Sequence, residues 1–543
     1  MDLSATFNSL AGSSEAKKVE GEDVAGVVGV EAIAGDSVVA MAGSTDWVRA
    51  VKGAAGKIGT KDSEEGPEQF NRPTIIGGPL LKAKISSLAV GPSAGHVVML
   101  SASQGAVWVM GLNTSGQLGL GPEHAQTSAV RAPTLAPLWL VEEKKRGSAA
   151  SSKKVAVKAA VGKNHTLLLY EDGSVASAGY GLRGALGRGN RKGDLVEKVF
   201  SPGNAAVLGG AADGDSRRVV DVAAGCDFSL AVTRDGSLYS WGWSECGKLG
   251  QGSDGSYNTK DSSIKMTFTA VGEPAKVAFP ILTAEDDDVL EEGDKGPPRV
   301  VNCSAGKNHA ACVCADGSGY TWGDGSYGKL GHRAQEMRTA PTRLKDARFT
   351  VLYCGDSTTC GLGFPEYRGR KFTKPPAQRD GMLYIWGVLK GTHGEGATRP
   401  RAEAELQGWN IKCQTLAMGA AHVCLHADDS AIAWAQSAVA FGQLGYGDKG
   451  PKSSHKPQKI HSLDGVDACA QVTAHAGASL FLFDTDKAKK SVLDDLPVWT
   501  PPEGPDVFQT GQIEDDDNNK KNNKKKAAAG GPKKPAAKKS KKK

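Results

Sequence analysis

Seven short runs of β-forming residues recur in order along this chain, each closing on a small residue. They end at Gly43, Gly111, Gly179, Gly242, Gly323, Gly387 and Ala435, so successive ends lie 68, 68, 63, 81, 64 and 48 residues apart. Trp241, Trp322, Trp386 and Trp434 directly precede four of those ends. A second unit recurs in phase: Gly or a substitute, then in most copies His, then an apolar run. It surrounds His96, His165, Phe228, His309 and His422, and it continues from Gly355 to Leu362 and from His475 to Phe483. Recurrence at fixed order marks a repeat architecture and overrides any domain count taken from length.

Strands of about five residues separated by Gly, Asp-Gly and Asn make antiparallel sheets. Asp172-Gly173, Asp235-Gly236 and Asp316-Gly317 read as hairpin turns between the His-type strand and the Trp-Gly strand. About four strands per copy, in seven copies, bury their faces best as blades around an axis. The expected fold is therefore all-β, a seven-bladed β-propeller. The first Trp-Gly-like strand has no His-type strand before it, and the last His-type strand has no Trp-Gly strand after it. Pairing the start of the chain with its end completes one blade and closes the ring without free edges. The expected divisions are an N-terminal extension over 1–35, the propeller over 36–484, an exit segment over 485–512 and a disordered tail over 513–543.

The pattern Gly-x-x-His, Asp-Gly, Trp-Gly, then Gly-Gln-Leu-Gly resembles the repeats of the regulator of chromosome condensation family. The last element stands at Gly116 to Gly119, Gly184 to Gly187, Gly247 to Gly250, Gly328 to Gly331 and Gly442 to Gly445. Three further stretches resemble a second branch of that family. They are Gly43-Ser44-Thr45-Asp46-Trp47, the run from Phe441 to Asp448 with Leu463-Asp464-Gly465 beyond it, and Leu496-Pro497-Val498-Trp499. The resemblance covers the chain apart from its two termini.

Ten cysteines raise the question of a disulfide framework. They are scattered through β runs, and the start carries Asp2 and polar residues where a secretory leader has an apolar stretch. Free thiols in a reducing compartment are expected. No apolar run is long enough for a membrane span.

The charge is divided. Residues 520–543 hold twelve lysines and no acid, so a net charge of +6 leaves 6 − 12 = −6 elsewhere. Local patches aside, the propeller is not expected to attract polyanions by net charge. The tail begins Glu514-Asp515-Asp516-Asp517 and continues in Lys, Asn, Ala, Gly and Pro, which gives it no apolar face to bury. Lys524, Lys525, Lys526, Lys533, Lys534, Lys538 and Lys539 suit an import receptor or a phosphate backbone. The bland reading is a solvated tail. Without aromatics or Arg, any contact with chromatin or nucleic acid is expected to be non-specific and salt-sensitive.

Several catalytic readings fail. Gly242-x-x-x-x-Gly247-Lys248 and Gly323-x-x-x-x-Gly328-Lys329 have phosphate-loop spacing, but Leu249 and Leu330 stand where a magnesium ligand belongs. Both read as blade turns. Cys303, Cys312, Cys314 and His309 suggest zinc. The repeat puts Leu230 and Val232 at the positions of Cys312 and Cys314, so core packing is the expectation. The histidines recur with the fold, which points to structural hydrogen bonds. No triad comes together, so neither an enzymatic reaction, a cofactor nor a metal is expected.

Function is then expected in the loops. One insertion, from about Thr283 to Arg299, is acidic and contains Asp286, Asp287 and Asp288. Another, from Phe364 to Arg379, is basic and contains Arg368, Arg370 and Lys371. Plain surface insertions are the alternative. The family resemblance implies a regulator that binds a small GTPase as an exchange factor does, with a role in mitosis and in chromosome or spindle organisation. Acidic residues, these three and Asp448, would then compete with phosphates for the GTPase lysine or its magnesium site. Such a protein would be a monomer located in the nucleus or nucleolus and on the spindle. The alternative is a chromatin or ribonucleoprotein adaptor held by its basic tail.

Overall fold

The computed structural model describes residues 36–504. Within them it omits 47–67, 137–153, 190–195, 259–265, 281–296, 366–381, 389–395, 407–412, most of 203–215 and several shorter stretches. The described strands form seven four-stranded antiparallel blades. Blade 2 runs Ser87–Ala89, His96–Ser101, Ala106–Leu112, Ala129–Leu135, and blade 3 runs Ala156–Val161, His165–Tyr170, Val175–Tyr180, Val196–Pro202. Blade 4 is Val219–Ala224, Phe228–Thr233, Leu238–Trp243, Ala270–Lys276, and blade 5 is Val300–Ala305, His309–Cys314, Gly319–Gly323, Arg338–Arg343. Blade 6 comprises Ala347–Cys354, Thr358–Pro365, Met382–Gly387, Ala397–Ala402, and blade 7 comprises Cys413–Met418, His422–Ala427, Ser430–Ala435, Gln458–Lys459.

Blade 1 closes the ring. Its first two strands, Cys469–Ala474 and Ala478–Asp484, come from the end of the propeller sequence, and its last two, Ser37–Ser44 and Gln69–Ile76, from the start. The halves pair from Ser37 opposite Asp484 to Gly43 opposite Ala478. The exit segment adds Val498–Trp499 to this blade, parallel to Gln69–Ile76. Ile75 N donates to Pro497 O (2.8 Å), Gly77 N donates to Trp499 O (2.8 Å), and the Trp499 ring lies 5.4 Å from Phe70. The resemblance marked Leu496 to Trp499 as distinctive; its physical role is to cover an edge strand.

First strands of neighbouring blades touch all the way round, so they line the central channel. Their junctions explain the repeated glycines. At the turn between first and second strands, a Cβ on Gly162, Gly225 or Gly306 would stand 2.6, 2.6 and 2.3 Å from the carbonyl oxygen of the next blade's Gly225, Gly306 or Gly355. At the Trp-Gly strand end the chain bulges, and Gly242 takes φ +116° with no room for a Cβ beside Asp227 O. The second glycine of the Gly-Gln-Leu-Gly turn lies over the next blade's tryptophan, as Gly187 does on Trp241 and Gly250 on Trp322. Those rings are buried, and truncating one would cost about 3–5 kcal/mol. Blade 3 has Ala178 in the Trp place, and Phe200 from its fourth strand fills the space under Gly119 instead.

The recurrent histidines clasp one blade to the next. His96, His165, His309 and His422 each bring Nε2 to a hydroxyl of the following blade: Thr166 (2.7 Å), Ser229 (2.9 Å), Thr359 (2.9 Å) and Ser479 (2.9 Å). Each hydroxyl donates onward to a turn carbonyl of the histidine's own blade: Gln117, Ala185, Lys329 and Gln443. The hydroxyl proton is thereby spent, so the ring must donate from Nε2 and is neutral. Burial pushes His96 down to about 3 and His165 and His422 down to about 4.

Candidate functional site: the two loop faces

Four antiparallel strands per blade send loops alternately to two faces of the ring. Turns between first and second strands and between third and fourth strands share one face, here the upper. Asp-Gly hairpins and the links between blades share the lower.

On the upper face, blades 3 to 5 present a mixed apolar and charged surface. Arg183 stacks its guanidinium 5.0 Å from the Trp243 ring and pairs with Asp227 at 2.5 Å. Burial opposes the Arg183 charge, but Asp227 outweighs it and raises the pKa. Phe268 meets the same Trp243 edge-on at 6.1 Å, and Trp243 Nε1 donates to Glu245 at 3.2 Å. Phe268 belongs to a small hairpin, Ser256–Asn258 with Met266–Phe268, inserted before the fourth strand of blade 4. Leu182, Tyr257, Tyr327 and Met337 are exposed in these same turns, whereas Leu81 is the one exposed large apolar side chain in the described lower-face loops. Tyr327 also holds φ +61°, a left-handed conformation that costs a non-glycine residue roughly 1 kcal/mol or more.

The two phosphate-loop frames lie in these upper turns, and their lysines are buried. Lys248 donates to Asn308 Oδ1 of the next blade at 3.2 Å, and burial lowers its pKa. Lys329 donates to Asp324 (2.5 Å) and Ser326 (3.3 Å). Burial pushes Asp324 up, but the Lys329 hydrogen bond and charge hold it below the usual carboxylate range. These ammonium groups tie turns together. Cys312 and Cys314 share the apolar core between blades 4 and 5 with Leu230 and Val232, and burial pushes the Cys312 thiol well up. His309 turns instead to Thr359.

On the lower face, arginines lie over the hairpins. Arg218, Arg299 and Arg348 each precede or open the first strand of a blade and cross the Asp-Gly turn of the blade before it. Arg218 donates to Glu171 O, Arg299 to Arg234 O (3.3 Å), and Arg348 to Asp316 Oδ2 (3.1 Å) and Ser318 Oγ (2.7 Å).

The residues singled out from sequence divide between the faces. Asp448 is on the upper face, in a third-to-fourth-strand turn of blade 7, and accepts from Asn71 Nδ2 at 2.7 Å. Asp286, Asp287 and Asp288 lie outside the described residues. The described residues that flank their segment, Pro280 and Pro297, lie in a blade-to-blade link on the lower face. Arg368, Arg370 and Lys371 also lie outside the described residues, between the second and third strands of blade 6, again a lower-face connection. The tail lysines from Lys524 to Lys539 are outside as well. The described ends at which the two insertions attach are thus on the face opposite Asp448. Sequence reading missed the Arg183–Trp243 stack and the hairpin-crossing arginines. The arginines had a signal, since Arg218 and Arg299 hold equivalent places before a first strand; the stack had none.

The family description RCC1-like domain matches residues 50–483. The chain belongs to that family. Among RCC1-like proteins, the zebrafish (Danio rerio) Protein RCC2 homolog is 33% identical over 431 residues, spanning 78% of this chain and 76% of that one. Human Protein RCC2 is 31% identical over 431 residues, spanning 78% and 72%. Of solved RCC1-like structures, Saccharomyces cerevisiae Prp20p, described with its binding properties to Gsp1p and histones, superposes with a TM-score of 0.58 at 17% identity, covering 86% of this chain and 95% of its own. Prp20 in complex with Kap60 gives 0.59 at 17% identity, covering 89% and 98%. At that identity the likeness is one of fold.

Proposed function

We propose that this protein is a non-enzymatic regulator and scaffold that binds a small GTPase in a nucleotide-dependent manner, in the way of an exchange factor, and acts in mitosis on chromosome or spindle organisation. The observation that carries the reading is the match to RCC2 proteins over about three quarters of both chains. Exchange asks for no covalent chemistry from the propeller. It asks only that the nucleotide-free GTPase be held more tightly than the loaded one. The upper face of blades 3 to 5 suits a protein partner, since aromatic and Met side chains with Arg are what interface cores use. Asp448 is on that face. The insertions with Asp286, Asp287, Asp288, Arg368, Arg370 and Lys371, whose ends attach on the lower face, are assigned to separate contacts. The tail lysines are assigned to an import receptor or chromatin, and the protein to the nucleus as a monomer. Prp20, solved in complex with Kap60 and described with its binding properties to histones, offers a parallel for the import receptor and for chromatin in a protein of the same fold.

The test is a pull-down of the full chain against a panel of small GTPases, each nucleotide-free, GDP-loaded or GTP-loaded. One nucleotide-free GTPase should be retained, with faster release of labelled GDP. Trp243→Ala should weaken that capture about tenfold or more. Equal retention of all states by every GTPase would defeat the exchange reading.

A further inference from the structure

The exit segment is held to blade 1 lightly. Ile75 N and Gly77 N donate to Pro497 O and Trp499 O, and the Trp499 ring rests on Phe70. Beyond Trp499 the chain passes over Gly78, where an added Cβ would stand 3.5 Å from Pro501 Cγ. It then reaches blade 2, where a Cβ on Gly504 would stand 2.6 Å from Thr134 Oγ1. Residues 496–504 therefore form a strap across the outer rim of two blades. Leu496 is buried and anchors one end, whereas Val498, Thr500, Pro502 and Glu503 are exposed. The regular structure of the strap is the two-residue pairing of Val498–Trp499. A segment with so few buried contacts opens locally, without unfolding the blades beneath it.

Thr500 precedes Pro501. The sequence has one other Ser-Pro or Thr-Pro step, Ser201-Pro202, and the fold treats the two differently. Ser201 lies in the fourth strand of blade 3 and pairs opposite Ser177. Presenting it to another protein means taking a blade strand apart. Presenting Thr500 means only lifting the strap. Asp494 and Asp495 come before Thr500 and Glu503 stands three places after it, so its flanks are acidic.

We propose that Thr500 is a phosphorylation site for a proline-directed Ser/Thr kinase, gated by the docking of the strap on blade 1. The acidic flanks suit a kinase of the mitogen-activated class, which reads the proline and asks for no basic residue beyond it. The Thr500 hydroxyl oxygen attacks the γ-phosphorus of ATP, and the bond from that phosphorus to the β,γ-bridging oxygen breaks. ADP leaves, and the hydroxyl proton passes to the catalytic aspartate of the kinase. A kinase takes its substrate as an extended chain, with the residues on either side of the acceptor in its groove. In the docked strap Pro497 O and Trp499 O are engaged with blade 1 and Pro501 lies on Gly78. The hydroxyl faces solvent while its flanks are held. The strap must open before transfer, so the rate carries the open fraction as a factor.

The test incubates the full chain with an active mitogen-activated protein kinase, Mg2+ and labelled ATP, and maps the acceptor by mass spectrometry. Label should sit on Thr500, be lost in Thr500→Ala and spare Ser201. A peptide of residues 494–504 has no blade to dock on, and at equal concentration it should be labelled about tenfold faster than the chain. Phe70→Ala removes the ring beneath Trp499 without touching the substrate sequence. It should speed labelling of the full chain about threefold to tenfold, and amide exchange at Ile75 and Gly77 should quicken by the same factor. No label on Thr500 overturns the inference, as does label on Ser201 in its place. A chain labelled as fast as the peptide removes the gate, and that comparison stands even if Phe70→Ala misfolds. In a folded Phe70→Ala protein, an unchanged labelling rate overturns the gate as well.

Discussion

The seven blade junctions are of two kinds, although one repeat builds them all. Four are clasped: His96 to Thr166, His165 to Ser229, His309 to Thr359 and His422 to Ser479. The other three have no His at that place, and each faces an apolar residue: Phe228 before Ala310, Thr358 before Val423, and Ala478 before Val97. Ala310, Val423 and Val97 are fully buried, and Thr358 spends its hydroxyl on Val388 O within its own blade at 2.8 Å. Where a blade offers imidazole, its neighbour supplies oxygen; where it does not, its neighbour supplies carbon. A buried hydroxyl without a partner costs about 1–3 kcal/mol, and so does a buried imidazole, so each junction must change both residues or neither.

Acid should separate the two kinds most sharply. His96 and His475 are held near 3, His165 and His422 near 4, and His309 well below the ordinary 6.5, in each case first by burial. The unfolded chain binds these protons near pH 6.5 and the folded chain does not. Stability is therefore complete above pH 6.5 and falls as pH drops, by about 1.4 kcal/mol per pH unit for each histidine. Five together would exhaust an ordinary stability of about 5–15 kcal/mol between about pH 6 and pH 4. Denaturant midpoints between pH 7 and 4.5 would check this. A flat profile would mean that the clasps accept protons in the folded state.

Steric demands should come next, and they ignore the kind of junction. Gly306→Ala at the clasped blade 5–6 junction puts a methyl group 2.3 Å from Gly355 O, and Gly225→Ala at the apolar blade 4–5 junction puts one 2.6 Å from Gly306 O. Each should cost about 3 kcal/mol by urea unfolding. A smaller effect is expected of the clasp alone. His309→Phe should cost about 1–2 kcal/mol, and adding Thr359→Ala should restore about half of it. Strict additivity in that cycle would dissolve the distinction between the junctions.

Much of this was legible in the sequence because the repeat fixes register. The orphan half-blades at the two ends dictated ring closure, and the spacing of Cys312 and Cys314 put them on one face of a strand. The clasp partners were legible too, one residue after the His place in the following copy, but only to a reader who compares copies n and n + 1. The parity of the loops places Asp448 on the face opposite the ends where the two insertions attach, and that needs a strand count within each copy. Two features had no periodic signal. Val498–Trp499 pairs in parallel over two residues, and Trp243 gains its role from Arg183 of another blade and Phe268 of an inserted hairpin. Contacts made once in the molecule leave no repeat to read.

The finest test is to convert one junction into the other kind. At the blade 4–5 junction the carbonyl equivalent to Ala185 O is Lys248 O, which accepts from Trp322 Nε1 at 3.0 Å. Ala185 O already accepts two bonds at 2.8 Å, from Ser229 Oγ and from Trp241 Nε1. Lys248 O thus has the capacity to take a second bond from a hydroxyl introduced by Ala310→Ser. Phe228→His would supply the donor to that hydroxyl, at the loss of ring area over Gly225 and of the Lys248 ammonium 6.0 Å from the Phe228 ring. The gained hydrogen bonds and the lost apolar contact are each worth about 1 kcal/mol, so the double variant should fall within about 1 kcal/mol of the parent at pH 7. Either single change leaves a buried polar group without its partner and should cost more than the pair. The double variant should also gain acid sensitivity, because the buried ammonium beside the new imidazole disfavours a second positive charge. Unfolding at pH 7 and pH 5 reads both effects. A double variant worse than the sum of its parts would mean that the junction depends on shape at this position, not on the pairing of donor with acceptor.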